Sequence, residues 1–175
     1  MLRKFIDKLT NTRRPASGVP VRSAAEVREA LLSINRQSAP FAIRDGGEDG
    51  VSLVAEWKIV DANWREVFSS AGLKDVFRIL LELHPQSREV RALDVRYTLS
   101  WQAGIPTLSL SATGSRGQQW SWSAGTGHTF TEELGAGRAY SYRFRTGEIR
   151  QPIQEAVLAA GWTYRGVLSK RSLFR

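Results

Sequence analysis

The sequence predicts an α+β fold: a single curved antiparallel sheet of about seven strands, with two to three helices packed on one side. Three observations lead there. Apolar residues recur at helical spacing near both ends of the chain and in one short stretch after Asp61. Elsewhere between Phe41 and Thr146 they alternate with period two, broken by short turns rich in Gly, Pro, Asp and Ser. Such turns are too short for the crossover that a parallel pair requires, so consecutive strands run antiparallel.

The elements follow in order. Leu2, Phe5, Ile6 and Leu9 give one face of a short helix an apolar stripe flanked by Arg3, Lys4 and Lys8. Residues 11–20 contain two prolines and a glycine and read as a linker. Ser23 with Glu26 forms a capping-box pattern, opening a helix through Val27, Ala30, Leu31 and Ile34. Asp45–Gly50 is a turn between a strand at Phe41–Arg44 and one at Val51–Val60, where Val51, Leu53, Ala55, Trp57 and Ile59 share a face. Asp61 caps a helix with the stripe Trp64, Val67, Phe68 and Ala71, and Gly72 fits its C′ position. A strand with Phe77, Ile79, Leu81 and Leu83 inward turns at His84–Arg88 into a longer one. There the apolar phase shifts between Ala92 and Leu93, which marks a β-bulge.

Strands at 107–113, around Trp120 and Trp122, and at 139–146 complete the alternating region. Pro152 places the start of the last helix near itself, Gly161 ends it, and Thr163–Leu168 forms a final strand. The organisation is then a basic N-terminal arm and linker at 1–22, one α+β domain at 23–168, and a basic C-terminal tail at 169–175.

Charge sharpens that division. The net charge of +8 resides at the ends: 1–22 holds six basic residues against Asp7, and 165–175 holds four with no acid. The body between them is close to neutral, so the cationic character belongs to the extensions rather than to the globular surface. A hydrophobic content of 42% is that of a folded chain, and no apolar run approaches the ~20 residues of a membrane span. Asp7 and Lys8 interrupt the opening segment, so no secretory signal is expected. The absence of cysteine excludes disulfides, a thiolate nucleophile and Cys-ligated metals, and fits a cytoplasmic setting. Twenty arginines against five lysines point to a GC-rich bacterial genome.

Catalytic signatures are missing. His84 and His128 lack metal-ligand spacing, so no metal site is expected. Ser109, Ser111, Ser121 and Ser123 alternate like the solvent face of strands, without a nucleophile elbow. No phosphate-binding glycine loop precedes a helix, and no cofactor is expected. Glu132–Glu133 reads as a polar turn.

Three sets of residues remain as candidates. Glu56 lies on a central strand and faces the side marked by Val54 and Val60; there it is either a pocket carboxylate or the partner of an arginine such as Arg78 or Arg96. Trp120 and Trp122 either pack or stack on a base, sugar or headgroup. Arg3, Lys4, Lys8, Arg13, Arg14, Lys170 and Arg171 offer an anionic surface its counter-charge.

From Val51, the order strand, helix, about five antiparallel strands and C-terminal helix resembles the helix-grip arrangement. That resemblance covers about two-thirds of the chain and rests on element order. It implies a curved sheet wrapped on a helix with an apolar cavity between them, and no functional residue carries over.

Three functions follow. The first is a non-enzymatic binding or assembly module whose basic arms meet an anionic membrane surface or an acidic protein, peripheral to the membrane. The second is a carrier or small enzyme holding an apolar ligand between sheet and helices, with Glu56 as anchor. The third is nucleic-acid binding through the tails with Trp120 and Trp122.

Overall fold

The computed structural model describes residues 2–110, 116–117, 130–135 and 138–175. Strands β1 (Phe41–Asp45), β2 (Leu53–Trp57), β3 (Asp75–His84), β4 (Glu89–Gln102) and β5 (Ile105–Leu110) pair antiparallel in chain order, and the sheet curls into a half-barrel. The long strand β4 carries three short partners along its far edge. β9 (Thr163–Gly166) pairs with Glu89–Ala92, β6 (Arg116–Gly117) with Asp94 and Val95, and β5 with Tyr97–Gln102. β7 (Phe130–Gly135) and β8 (Arg138–Tyr142) form a separate hairpin.

Several details depart from the sequence expectation. The short helix Arg65–Ser70 follows Trp64 with no side-chain cap from Asp61. Three others concern the layout of sheet and helices. β9 runs parallel to β4, because helix α4 (Thr146–Ala159) intervenes and supplies the crossover that a parallel pair needs. No bulge interrupts β4 against β3; the register runs unbroken from Asp75↔Thr98 to His84↔Glu89. The phase change at Ala92/Leu93 has another cause: the sheet is buried on both faces. Val90 and Ala92 join the main core with Leu53, Ala55, Ile79 and Leu81. Leu93 and Val95 join a second cluster with Val54, Leu80, Val167 and Leu173.

The helices account for the third departure. α2 (Ala24–Leu32) and α4 bury Val27, Leu31, Ile149, Ile153 and Val157 on the main face, whereas α5 (Lys170–Phe174) buries Leu173 against the other. With α1 (Leu2–Leu9) and α3 (Arg65–Ser70), the chain has five helices in the described residues and they do not share one side.

Local chemistry explains where these elements begin. Ser23 and Glu26 form the capping box that their spacing predicts. α4 starts six residues before Pro152 because Glu148 reaches back to the backbone N–H groups of Arg143 and Arg145, satisfying the donors that a helix start exposes. Edge strand β1 is closed by a side chain: the Asn35 amide donates to Ile43 O and accepts from Ile43 N, both at 2.7 Å, imitating a neighbouring strand.

Gly161 ends α4 with φ +74°, and the N–H groups of Gly161 and Trp162 return to Leu158 O and Val157 O in a Schellman motif. A Cβ there would meet Pro20 O at 2.7 Å. Trp162 then buries its ring and donates its indole N–H to Arg22 O. One glycine therefore both ends the helix and seats residues 20–22 upon it. Gly161→Ala is expected to cost at least about 1–2 kcal/mol from the left-handed backbone alone, and hydrogen exchange should show Arg22 N–H losing protection first. Unchanged stability with unchanged exchange would contradict this.

Candidate functional site

The two basic ends meet. Arg13 pairs with Tyr164 of β9 through both backbone bonds, at 2.8 and 2.9 Å, and Gln154 of α4 donates to Asn11 O. The segment after α1 therefore runs along the outer edge of β9. Beyond β9, Ser169 caps α5, His84 Nε2 lies 2.7 Å from Leu173 O, and Arg91 donates to Ser172 O. Between the two ends lies an open groove of about 600 Å³, lined by α1 and residues 10–14 on one side and by Glu89, β9 and α5 on the other.

Its charges are paired. Arg14 grips both oxygens of Asp7 at 3.0 and 3.2 Å, and Arg165 reaches both oxygens of Glu89 at 3.1 and 3.4 Å. Burial pushes the Glu89 carboxyl up, but Arg91 and Arg165 outweigh it and hold the group below its ordinary value. Ile6 and Leu168 line the groove, and further apolar side chains of α1 and α5 stand exposed. Phe5 is 61% exposed, Ile6 48%, Leu9 50%, Leu168 60% and Phe174 50%. An amphipathic helix in a globular protein normally turns such a stripe inward; α1 leaves it in water.

The candidates named from sequence distribute as follows. Arg3, Lys4 and Lys8 lie on α1, exposed Arg13 and Arg14 on the segment along β9, and exposed Lys170 and Arg171 on the first turn of α5. Trp120, Trp122 and His128 lie outside the described residues. Glu56 points to the second face of the sheet, where buried Val54 also points, whereas Val60 is exposed. It sits between Arg44 Nε at 2.8 Å and Arg78 Nε at 2.5 Å, while Arg96 goes to Asp75. The space beside it measures about 10 Å³, roughly room for one water.

Two polar clusters escaped the sequence reading. Asp94 is fully buried on the main face of the sheet, where it meets Arg150 of α4. Tyr164 shares this site; burial, then the Asp94 charge, push its phenol well above the ordinary range. The other cluster corrects the reading of Glu132 as part of a polar turn, since its side chain is buried. Arg36 donates to both of its oxygens at 2.9 and 3.0 Å, Ser38 at 2.7 Å and Tyr142 at 2.5 Å. The Arg36 bonds above all, with those from Tyr142 and Ser38, overcome burial and pull the Glu132 carboxyl down to about 2.

Both clusters act as braces in their geometry: the first ties α4 to the sheet, and the second ties the β7–β8 hairpin to the loop before β1. Among the described residues, no three His, Asp or Glu side chains converge as metal ligands, and no helix is long and apolar enough to cross a membrane. Comparison of the chain with models of protein families, with characterised proteins and with solved structures yields no match.

Proposed function

We propose that the protein is a non-enzymatic module that lays its converged basic ends on an anionic membrane surface, with the apolar face of α1 in the headgroup layer. The observation that carries this reading is the exposed stripe Phe5, Ile6 and Leu9 beside Leu168, bordered by the cations of both termini. An interfacial helix needs that combination, because apolar burial holds the helix and the cations draw it to the surface. Each Lys or Arg close to such a surface contributes about 1 kcal/mol. Eight residues of amphipathic helix bind marginally by themselves; the nearby cations of the C-terminal segment add the second signal that stable attachment requires.

Nucleic acid is less well supported. Arg143 and Arg145 precede α4, while the arm contacts its C-terminal half and β9 beyond it. Gln154, where the arm touches α4, lies eight residues beyond Thr146, about 12 Å along the helix, which sets these arginines apart from the arm. The carrier reading finds no room at Glu56.

Co-sedimentation with vesicles tests the proposal. The full chain should pellet with vesicles rich in phosphatidylglycerol and not with pure phosphatidylcholine, with affinity falling as salt rises. The triple change Phe5→Ser, Ile6→Ser and Leu9→Ser should weaken binding at least tenfold while leaving the circular dichroism of the body intact. No pelleting on either lipid, or equal pelleting by the triple variant, would remove the membrane reading.

A further inference from the structure

We propose that the groove between α1, β9 and α5 is a binding site for a zwitterionic phosphate ester of the phosphoethanolamine type, supplied as a lipid headgroup. The proposal deepens the membrane reading by naming what the groove takes from that surface. It starts from the charge arrangement. Arg14 and Arg165 line the groove, each already paired with a carboxylate, Asp7 or Glu89, that lines it too. The four lining charges cancel, and Arg91, which also holds Glu89 at 3.0 Å, adds one cation, so a simple anion meets little net attraction. A bare phosphate that drew Arg14 away would also leave Asp7 uncompensated, whereas Glu89 would keep Arg91.

A ligand with both signs of charge avoids that cost. Its phosphate takes charge-assisted hydrogen bonds from Arg14 and Arg165, and its ammonium takes the place of those guanidiniums beside Asp7 and Glu89. Both pairs are partly exposed, with Arg14 at 42% and Arg165 at 52%, so the exchange needs no core rearrangement. Hydroxyl groups complete the polar wall: Thr10 and Thr12 bond each other at 2.7 Å, and Ser172 lies on the α5 side. Ile6 and Leu168 stand at the same groove as its apolar flank, suited to a glycerol unit and the first methylenes of its chains. About 600 Å³ falls within the range of small-ligand sites.

Soluble headgroups test the site apart from the membrane. Isothermal titration of the full chain should show glycerophosphoethanolamine binding at least tenfold tighter than glycerol 3-phosphate. Glu89→Gln and Asp7→Asn should each weaken the zwitterion at least threefold and strengthen glycerol 3-phosphate, reversing the order of preference in the double variant. Equal or tighter binding of glycerol 3-phosphate by the unaltered protein overturns the proposal, as does binding of neither compound. Folded variants that keep the original preference overturn it too. Failure of the membrane reading looks different: headgroup binding survives while vesicles do not pellet.

Discussion

Arg150→Met is expected to lower the unfolding free energy by about 3–5 kcal/mol, the range for removing one partner of a buried ion pair. Asp94 has no exposed side-chain surface and Arg150 very little. Without the guanidinium, the Asp94 carboxylate must stay charged on the buried face opposite Ile79 or take up a proton at neutral pH. Both routes cost stability, and the second makes the loss smaller in acid. Denaturant unfolding at pH 7 and pH 5 reads both effects. The double change Asp94→Leu with Arg150→Met should recover much of the loss, because replacing both charges removes the desolvation problem with its solution. A single-variant loss below about 1 kcal/mol would mean that water reaches the pair. The same variant should loosen the N-terminal segment, since Tyr164 shares the Asp94 site through its phenol and holds Arg13 through its backbone.

That linkage shows where sequence reading stops. The helix opened by Ser23 and Glu26, the existence of strands β2 and β3, and the helix end at Gly161 each depend on residues close in sequence, and they were legible; Val51, read on the face of Leu53, instead joins the second cluster. The concentration of charge at the termini was legible for the same reason. Their convergence was not, because it depends on β9 returning parallel to the first residues of β4, some 74 positions earlier. Leu173 lies in the segment read as a basic tail; burial against the second face makes it a core residue. That second face also explains the misread bulge, since alternation assigns faces cleanly only when one of them meets water.

Both buried acids left traces. Asp94 keeps the period of Val90 and Ala92, so placing those two inward places Asp94 inward as well. Glu132 stands two residues after Phe130, and on a strand the two share a face. The Gly-rich surroundings of Glu132 favoured a turn, yet β7 extends through Gly135. In both cases the arginine that pays for the burial lies more than fifty residues away. No local pattern announces such a partner.

Arg36→Met supplies the second large effect, and its sign depends on pH. In the folded protein Glu132 titrates at about 2, below its ordinary value near 4.5. A carboxyl lowered by folding stabilises the native state above the unfolded value, and that contribution disappears as the pH falls through the folded one. Glu132 therefore contributes fully above about pH 5 and progressively less down to pH 2. Removing Arg36 takes away the leading cause of the lowered value and leaves burial opposed by Tyr142 and Ser38 alone. At neutral pH the loss should be about 1.5–3 kcal/mol, the worth of hydrogen bonds to a charged group. The partly exposed Arg36 side chain keeps it below the loss for Arg150. Between pH 5 and pH 2 the gap between the two proteins should close, because the protein that owes more to the carboxylate has more to lose when it is protonated. Denaturation midpoints measured across that range decide the matter. A gap that stays constant with pH would show that Arg36 acts through packing, and that the charge on Glu132 is held by its other donors.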